Sequence, residues 1–367
     1  MNILFLTLRV FSATGGIEKV CRLAGRALHL LSVENSNDNV KVFSMYDEPA
    51  DVNELYFPAA LFTGFGKSKV HFITAAIKEG IKNQLVILSH VNLLVVGFII
   101  KLISPKTKVV LVAHGIEVWR IFPKWKKIML NKYDLILPVS EFTKIRMMEL
   151  YGIAEKKITV LNNCLDPFLP LPLKAKKSER LLQLYGINEN DTVLFTLTRM
   201  ATGERYKGYD HVIQAVYELR HIKPAIKYLI VGKYDEAEKA RLDEIITRLS
   251  LQDNIILAGF IPDEEIAIHF NLADIYIMPS QKEGFGIVFI EALYYGKPVI
   301  AGNIDGSVDA LKNGIFGLLV NPTNQLQITN AIVEVITNRQ KFIPDSVKVI
   351  EHFGFDTYKE KLHHILN

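Results

Sequence analysis

Short apolar runs alternate with longer segments of helical length along the chain, and they decide the expected fold. In the first half the runs are NILFLTL (2–8), VKVFSMY (40–46), LVILSH (85–90), KVVLVAHG (108–115), LILPVS (135–140) and ITVLNN (158–163). In the second half they are VLFTLTRM (193–200), KYLIVG (227–232), NIILAGF (254–260), DIYIMPS (274–280), KPVIAG (297–302) and GLLV (317–320). Strands that are apolar over most of their length are typical of parallel sheets covered by helices on both faces. The pattern therefore predicts an α/β protein.

One segment interrupts this alternation. LDPFLPLPLKAKKSER, at 165–180, contains three prolines followed by a basic run, which is typical of a linker. We therefore predict two doubly wound domains, 1–168 and 169–349, facing each other across a cleft. The last segment, FDTYKEKLHHILN, has a helical pattern, but periodicity does not say to which domain it belongs.

The most apolar stretch, at 85–103, is long enough to suggest a membrane span. Ser89, His90 and Asn92 divide it, however, so we predict a short buried strand followed by an apolar helix. The N-terminal MNILFLTLRVFS lacks the basic region and the cleavage site of a signal peptide and is interpreted as a first strand.

Composition narrows the function classes only slightly. A net charge of +4 on 367 residues does not demand a nucleic-acid partner. The two cysteines, Cys21 and Cys164, show no spacing typical of a disulfide framework or a zinc site, and a cytoplasmic location fits them best.

Candidate chemistry follows the predicted strands, because ligands of open α/β sheets bind outside the carboxyl ends of the strands. TGGIEK (14–19) follows the first strand and offers bare N–H groups at a helix start, although a tight turn explains it equally well. His114 ends another strand and is either a hydrogen-bonding group or a structural residue. Arg199, Arg205 and Lys207 share one loop, where they would neutralise a diphosphate unless the loop is merely solvated.

EGFGIVFIE, at 283–291, carries a glutamate at each end of an otherwise apolar run. Glu283 is predicted to lie in a loop, and Glu291 a turn into the following helix. A partly buried carboxylate needs partners, and a ribose diol would supply them. Gly284 and Gly286 leave main-chain N–H groups and the positive helix end exposed to a ligand.

The same stretch resembles the E-x7-E motif of the retaining glycosyltransferases of family 4, which have the GT-B fold. TGGIEK, HGIE, PVSEFTK, VLNNCLDP, TRM…RYKG and FDTYKEK follow the order and approximate spacing of that family. The resemblance covers nearly the whole chain. It also implies that the final helix, about 350–367, crosses back onto the first domain.

The resemblance assigns roles to individual residues. Glu291 would bind the ribose and Glu283 a hydroxyl of the donor sugar, while His114 would contact the transferred sugar. Catalysis would depend on His114, Glu283, Arg199 and Lys207, the two cations holding the diphosphate. The full set implied for donor binding is Gly15, Gly16, Thr198, Arg199, Arg205, Lys207, Phe260, Ile261, Glu283, Gly284, Phe285, Gly286, Ile287 and Glu291.

The chain departs from the family pattern at two places. Thr198 stands where a glycine usually precedes the phosphate-binding arginine, and the stretch up to Lys207 is longer than common, so Arg205 would share the phosphate role. The family's G-G-x-x-E is replaced by GNIDGSVDA, with Asp309 near the acidic position, which leaves the donor sugar open.

These features predict a retaining, metal-independent hexosyltransferase without a cofactor. The donor would be GDP-mannose or a UDP-hexose, and the acceptor a polysaccharide or a lipid-linked saccharide. The alternatives are a nucleotide-sugar epimerase of the same architecture and a non-catalytic partner subunit. An oxidoreductase is disfavoured because no G-x-G-x-x-G follows a strand.

A further segment suggests peripheral contact with the anionic inner face of the cell membrane. EVWRIFPKWKKIMLNK (117–132) mixes five cations with Trp119, Phe122 and Trp125. Cations interleaved with large aromatic side chains suit an anionic surface. An ordinary amphipathic helix with core aromatics is the competing interpretation.

Overall fold

The computed structural model describes residues 1–35, 38–173 and 176–367. The chain forms two compact units. Unit 1 contains Met1–Asp166 and Phe353–Asn367, and unit 2 contains Pro167–His352. The C-terminal segment therefore belongs to the same unit as the N-terminal half.

Unit 1 is built on a six-stranded parallel sheet with the strand order β3-β2-β1-β4-β5-β6. Its strands are β1 (Asn2–Thr7), β2 (Asn39–Ser44), β3 (Phe62–Gly64), β4 (Leu85–Leu88), β5 (Lys108–Ala113) and β6 (Leu135–Pro138). Its main helices are α1 (Gly16–Glu34), α2 (Lys69–Gly80), α3 (Leu94–Ile103), α4 (Lys124–Asn131), α5 (Glu141–Tyr151) and, near the C-terminus, α15 (Phe355–Leu366).

Alternate residues of each strand in unit 1 enter two separate cores. Leu4 and Leu6 of β1 pack in one core with helices α2, α3 and α5, and Ile3 and Phe5 pack in the other with α1 and α15. Helix α15 buries its apolar side chains in the second core, and Lys359 forms an ion pair with Glu34 at 2.5 Å. Both faces of the sheet are covered, which explains why the strands read as nearly continuous apolar runs.

Unit 2 repeats this architecture with the strand order β12-β11-β10-β7-β8-β9, again all parallel. Its strands are β7 (Thr192–Leu197), β8 (Ile226–Val231), β9 (Ile255–Gly259), β10 (Ile275–Met278), β11 (Val299–Gly302) and β12 (Leu318–Val320). The remaining helices are α6 (Glu179–Tyr185), α7 (Tyr209–Leu219), α8 (Glu236–Arg248), α9 (Ile266–Leu272), α10 (Ile287–Tyr294), α11 (Ser307–Ala310), α12 (Gln325–Thr337), α13 (Arg339–Phe342) and α14 (Ser346–Phe353).

The two faces of the second sheet have different packing. One face is mainly aliphatic, with the buried Tyr228, and packs against α7, α8 and α12. The other is aromatic: Phe195 and Tyr276 form edge-to-face contacts with Phe270 and Phe289 of the covering helices α9 and α10. Helix α10, which carries Glu291, is thus held firmly against the sheet.

The predicted fold class is confirmed, and two local predictions change. Strand β3 was not predicted, because its sequence, Phe-Thr-Gly, contains a single apolar residue, whereas the equally short β12 is Leu-Leu-Val. The strand predicted at 158–163 is wrong: Thr159 N–H and Leu161 N–H donate to β6, but in the described part of the chain the segment forms only an isolated bridge, from Ile158 to Ile136. Ile158 and Leu161 are buried, and Val160 is partly buried.

The apolar stretch 85–103 divides as predicted, into strand β4 and helix α3. Among the residues that the structure describes, no helix has both the length and the apolar character needed to cross a membrane.

Candidate functional site

The loops that leave the carboxyl ends of the unit 2 strands are joined by main-chain hydrogen bonds. Thr198 N–H donates to the carbonyl of Val231 at 2.8 Å, and Gln281 N–H donates to that of Tyr206 at 2.8 Å. At Gly208, φ is +84° and an added Cβ would lie 2.2 Å from the Pro279 carbonyl oxygen. Only glycine permits this close approach. The loops after β7, β8 and β10 therefore form one preassembled surface.

Lys207 and Glu283 form an ion pair on this surface. The Lys207 Nζ lies 2.5 Å from a Glu283 carboxylate oxygen, and each side chain is only 16% exposed. Burial acts to lower the pKa of Lys207, but the charge and hydrogen bond of Glu283 outweigh it and raise the pKa above its usual value. Two residues predicted for different parts of the donor thus lie within hydrogen-bonding distance of each other.

Arg199 forms the second charge pair of this edge. Its Nε donates to Glu204 at 3.1 Å and its Nη2 to the other oxygen of the same carboxylate. The Arg199 side chain is 65% exposed, while that of Glu204 is 17% exposed. Thr198, beside it, is partly buried. Glu204 was not predicted, because nothing in ATGERYKG distinguishes it from a solvated loop residue.

Arg205 has a different environment from the other two cations. Its Nε donates to the fully buried carboxylate of Glu238 at 2.9 Å, which also accepts from Tyr209 and Arg241. Burial opposes ionisation, but these donors outweigh it and hold the pKa of Glu238 below its usual value. The network connects the Thr202–Lys207 loop to helix α8, and Arg205 contributes to it by its hydrogen bond to Glu238.

Glu291 lies in the middle of α10 and is 4% exposed. The helix begins after Gly286, whose φ is +83°, and Gly284, Phe285, Gly286 and Ile287 are all buried. A cradle of main chain thus precedes the helix. The first turn of α10 contains no acidic residue, so no carboxylate within it offsets the positive end of the helix dipole.

The turn after β11 packs directly on the loop that carries Glu283. Gly306 N–H donates to the Glu283 carbonyl at 2.8 Å, and an added Cβ at Gly306 would lie 2.1 Å from the Gly284 carbonyl oxygen. The preceding Asp305 is fully buried and accepts from Ser280 Oγ at 2.7 Å. The resemblance points to Asp309 in this turn, near the acidic position of the family. The contact with Ser280 is made by Asp305.

Phe260 and Ile261 directly follow strand β9. Phe260 is 54% exposed, and the ammonium group of Lys233 lies 4.7 Å from its ring centroid. Ile261 is buried. An exposed aromatic ring beside a cation suits a flat, electron-rich ligand group.

In unit 1, the loop after β1 is anchored by a single buried carboxylate. Asp47 accepts from Val10 N–H at 2.6 Å and from Ser12 N–H at 2.8 Å. The loop leads to Gly15 and Gly16, which are exposed at the start of α1, where an added Cβ on Gly16 would meet nothing within 4 Å. Asp47 was not predicted, because it follows β2 and shows no motif.

His114 follows β5 and is 8% exposed. Its Nε2 lies 2.7 Å from the Ser89 carbonyl oxygen, which can only accept, so Nε2 carries a hydrogen. Nδ1 has no hydrogen-bond partner among the described residues. In neutral His114 this nitrogen is an acceptor, suited to a hydroxyl group.

Burial and the nearby His114 and Arg120 lower the pKa of His90, against the opposing charge of Glu117.

The structure thus groups the predicted residues into two sets. Arg199, Arg205, Lys207, Glu283 and Glu291 lie with their loops at the carboxyl edge of the unit 2 sheet, and Gly15, Gly16 and His114 lie at that of unit 1. Over the described ranges, no group of three or more histidine, cysteine or acidic residues is arranged to hold a metal ion.

Comparison with known proteins gives two family matches. Residues 14–167 match the model described as "Glycosyltransferase Family 4", and residues 178–349 match "Glycosyl transferases group 1". Together the two models account for most of the chain.

Individual relatives are distant. A "GDP-mannose-dependent alpha-(1-6)-phosphatidylinositol monomannoside mannosyltransferase" of Mycolicibacterium smegmatis is 29% identical over 247 residues, which is 64% of this chain and 62% of the relative. The match thus spans less than two thirds of that enzyme. An "uncharacterized 41.2 kDa protein in cps region" of Klebsiella pneumoniae is 25% identical over 75% of each chain.

Solved structures share the fold along the whole chain. HepE of Anabaena, solved "in complex with UDP and glucose", has a TM-score of 0.80 and 21% identity over 100% of this chain and 99% of its own. A glycosyltransferase of Rickettsia africae has a TM-score of 0.79 and 21% identity over 99% and 97%.

Proposed function

Because the chain belongs to the group 1 glycosyltransferases of the family 4 type, with the GT-B fold, we propose that it transfers a hexose from a nucleotide diphosphate sugar. The anomeric configuration of the sugar is retained, and no metal ion or cofactor is required. The acceptor is a polysaccharide or a lipid-linked saccharide. The donor is GDP-mannose or a UDP-hexose: one relative is named for GDP-mannose, and HepE was solved with UDP and with UDP-glucose.

The observation that carries this proposal is the buried pair of Lys207 and Glu283 beside Arg199. The lysine is protonated, because its pKa is raised, and it is fixed by its carboxylate partner on a rigid loop surface. A preorganised cation of this kind stabilises charge that develops on a leaving group without reorganising in the transition state. A departing nucleoside diphosphate is such a leaving group.

The remaining residues divide the donor between them. Glu291 accepts hydrogen bonds from the ribose, and Glu283 accepts one from the donor sugar while it stays close to Lys207. Arg199 and Lys207 hold the diphosphate. His114 accepts a hydrogen bond from a sugar hydroxyl through Nδ1, since Nε2 is committed to Ser89.

A ligand screen followed by a transfer assay tests the proposal. Saturation at a hundred times Kd stabilises a protein by about 2.7 kcal/mol, so the matching nucleotide sugar should clearly raise the melting temperature among UDP, GDP and ADP derivatives. Transfer should persist in EDTA, and NMR of the product should show the donor's anomeric configuration. Epimerised donor formed without an acceptor would identify an epimerase instead, and inversion would refute retention.

We further propose that unit 1 contacts an anionic membrane surface through the segment 120–128. Ile121 is 81% exposed, Trp125 48% and Ile128 60%, and the ammonium group of Lys126 lies 5.3 Å from the Trp125 ring centroid. Phe122 of the same segment is buried in the core. Exposed apolar side chains among cations fit a surface that is anionic outside and apolar beneath.

Flotation with vesicles tests this contact. The chain should float with vesicles that contain anionic phospholipid at low salt, and binding should fall with neutral vesicles and at high salt. Trp125→Ser should weaken it, whereas Ile222→Ser, at a 74% exposed position of unit 2, should not. Absence of flotation at low salt would refute the contact.

A further inference from the structure

Asp305 is a buried carboxylate without a cationic partner. It is fully buried and forms no ion pair with any described residue. Its oxygens accept from Ser280 Oγ at 2.7 Å and from Ser307 N–H at 2.9 Å, and the two serine hydroxyls lie 3.2 Å apart. Burial outweighs these donors and raises the pKa of Asp305 to about 6. Such a group is costly to bury, so its position calls for a specific role.

The hydrogen bonds of Asp305 join two loops. Ser280 begins the loop that carries Glu283, and Ser307 begins helix α11 after β11. Between them, Gly306 N–H donates to the Glu283 carbonyl at 2.8 Å. The main chain of Glu283 is therefore held at its own carbonyl and, three residues earlier, at the Ser280 side chain.

The two loops are in close main-chain contact at Gly306. An added Cβ on Gly306 would lie 2.1 Å from the Gly284 carbonyl oxygen and 2.7 Å from that of Glu283. On the other side, Glu283 is paired with Lys207 at 2.5 Å. A shift of the turn at Asp305 would move the Glu283 main chain and, with it, the carboxylate that faces Lys207.

We propose that Asp305 is a positioning residue that fixes Glu283 for its contact with the donor sugar. It acts through the Ser280 hydroxyl and the Gly306 N–H, and it does not touch the substrate. This role rests on the proposed function, because it requires that Glu283 binds the sugar. It applies to the sugar end of the donor and leaves the nucleotide end, at Glu291, unaffected.

A double-mutant cycle tests the role. Asp305→Asn should lower kcat/KM for the nucleotide sugar by about tenfold, mainly through kcat, and should change the affinity for the free nucleoside diphosphate by less than about twofold. When Asp305→Asn is introduced into the Glu283→Gln variant, kcat/KM should fall by less than about twofold further, because the residue that Asp305 positions is already impaired. The matched control is Asn303→Ala, an exposed position of the same turn, with unchanged kinetics.

Ser280→Ala provides a second route that keeps the carboxylate. It removes the hydroxyl that donates to Asp305 and should lower kcat about threefold. In the Glu283→Gln variant it should have little further effect. Ser280→Thr keeps a hydroxyl and should retain most of the activity. If Asp305→Asn does not fold, this pair of variants decides. The role of Asp305 would be overturned if the losses in kcat/KM of the single variants multiplied in the double variant with Glu283→Gln. It would also be overturned if nucleoside diphosphate affinity fell as much as kcat/KM.

Failure of the proposed function would look different. A wild-type chain that neither binds nor transfers any nucleotide sugar refutes the function and this role together. A wild-type enzyme that transfers sugar, with Asp305 and Glu283 acting independently, refutes only the role of Asp305.

Discussion

The carboxyl edges of the two sheets have the same strand order but present different polar groups. In unit 2, Lys207, Arg199 and Arg205 each form an ion pair with a carboxylate from the loops or from α8. In unit 1, the corresponding edge presents exposed glycines and His114, held by the main-chain carbonyl of Ser89.

The difference teaches which ligand groups each edge can accommodate. Charges fixed in advance lower the reorganisation needed to bind a diphosphate and stabilise its departure. The Nδ1 atom of His114 and open main-chain groups suit hydroxyl groups, which need directional hydrogen bonds rather than charge. The comparison therefore predicts that substitutions in unit 2 affect nucleotide binding and chemistry, and that those in unit 1 affect only the sugar or the acceptor.

Lys207→Met should have the largest effect. It removes a preorganised cation and leaves Glu283 without its partner, so transfer should fall by about a hundredfold to a thousandfold. Nucleoside diphosphate affinity should fall as well, as calorimetry would show. Lys239→Met, which removes a paired lysine from helix α8, should have little effect. Near-normal turnover of Lys207→Met would remove the charge-based account of unit 2.

Substitutions of Glu291 and Glu283 should separate nucleotide binding from sugar transfer within unit 2. Charge-assisted hydrogen bonds contribute about 1.5 to 3 kcal/mol, so Glu291→Gln should weaken the free nucleoside diphosphate by about tenfold to a hundredfold. Glu283→Gln should leave that affinity nearly unchanged while transfer falls severely. Nucleotide affinity, turnover and melting temperature of both variants separate binding from folding. Equal loss of nucleotide affinity in the two variants would contradict the division.

The sequence predicts the fold well because parallel strands buried on both faces leave an unambiguous apolar signal. Of the twelve strands in the described part of the chain, eleven were expected from such runs; the exception is β3, Phe-Thr-Gly, which has a single apolar residue. The segment 158–163 shows the converse: Ile158 and Leu161 are apolar and buried, but the main chain of the segment bonds to β6 without forming a strand. Apolar character reports burial, not hydrogen-bonding partners.

The site is only partly predictable, for a related reason. Glu283, Glu291, Arg199 and Lys207 are predicted from short motifs, each within one continuous stretch of sequence. The residues that support them are brought in by the fold: Glu238 lies on α8 and Asp305 after β11, far from the motif that each supports. A lone carboxylate in a loop looks solvated until its burial is known.

His114→Ala should test unit 1 with a smaller effect. The variant removes the hydrogen bond that Nδ1 is proposed to accept from a sugar hydroxyl, and it also removes the bond to Ser89, so turnover should fall roughly tenfold. Affinity for the free nucleoside diphosphate should stay the same, measured by calorimetry. His71→Ala, at an exposed position of α2 in the same unit, is the control. Parallel loss of nucleotide affinity and turnover would make His114 structural.

Glu204→Gln should have the smallest effect and the opposite sign. Glu204 pairs with the exposed Arg199, and exposed ion pairs contribute little, so stability should change by less than about 1 kcal/mol. Its negative charge lies where the diphosphate would bind Arg199, and its removal should therefore tighten nucleoside diphosphate binding by about twofold to fivefold. Since salt screens exposed charges, with a Debye length of about 10 Å at 0.1 M, the gain should shrink as the salt concentration rises. Glu236→Gln, at an exposed position at the start of α8, should change neither affinity nor its salt dependence. If Glu204→Gln instead weakens nucleotide binding, Glu204 orients Arg199 for the phosphate, and the pair belongs with Lys207 and Glu283 among the preassembled parts of unit 2.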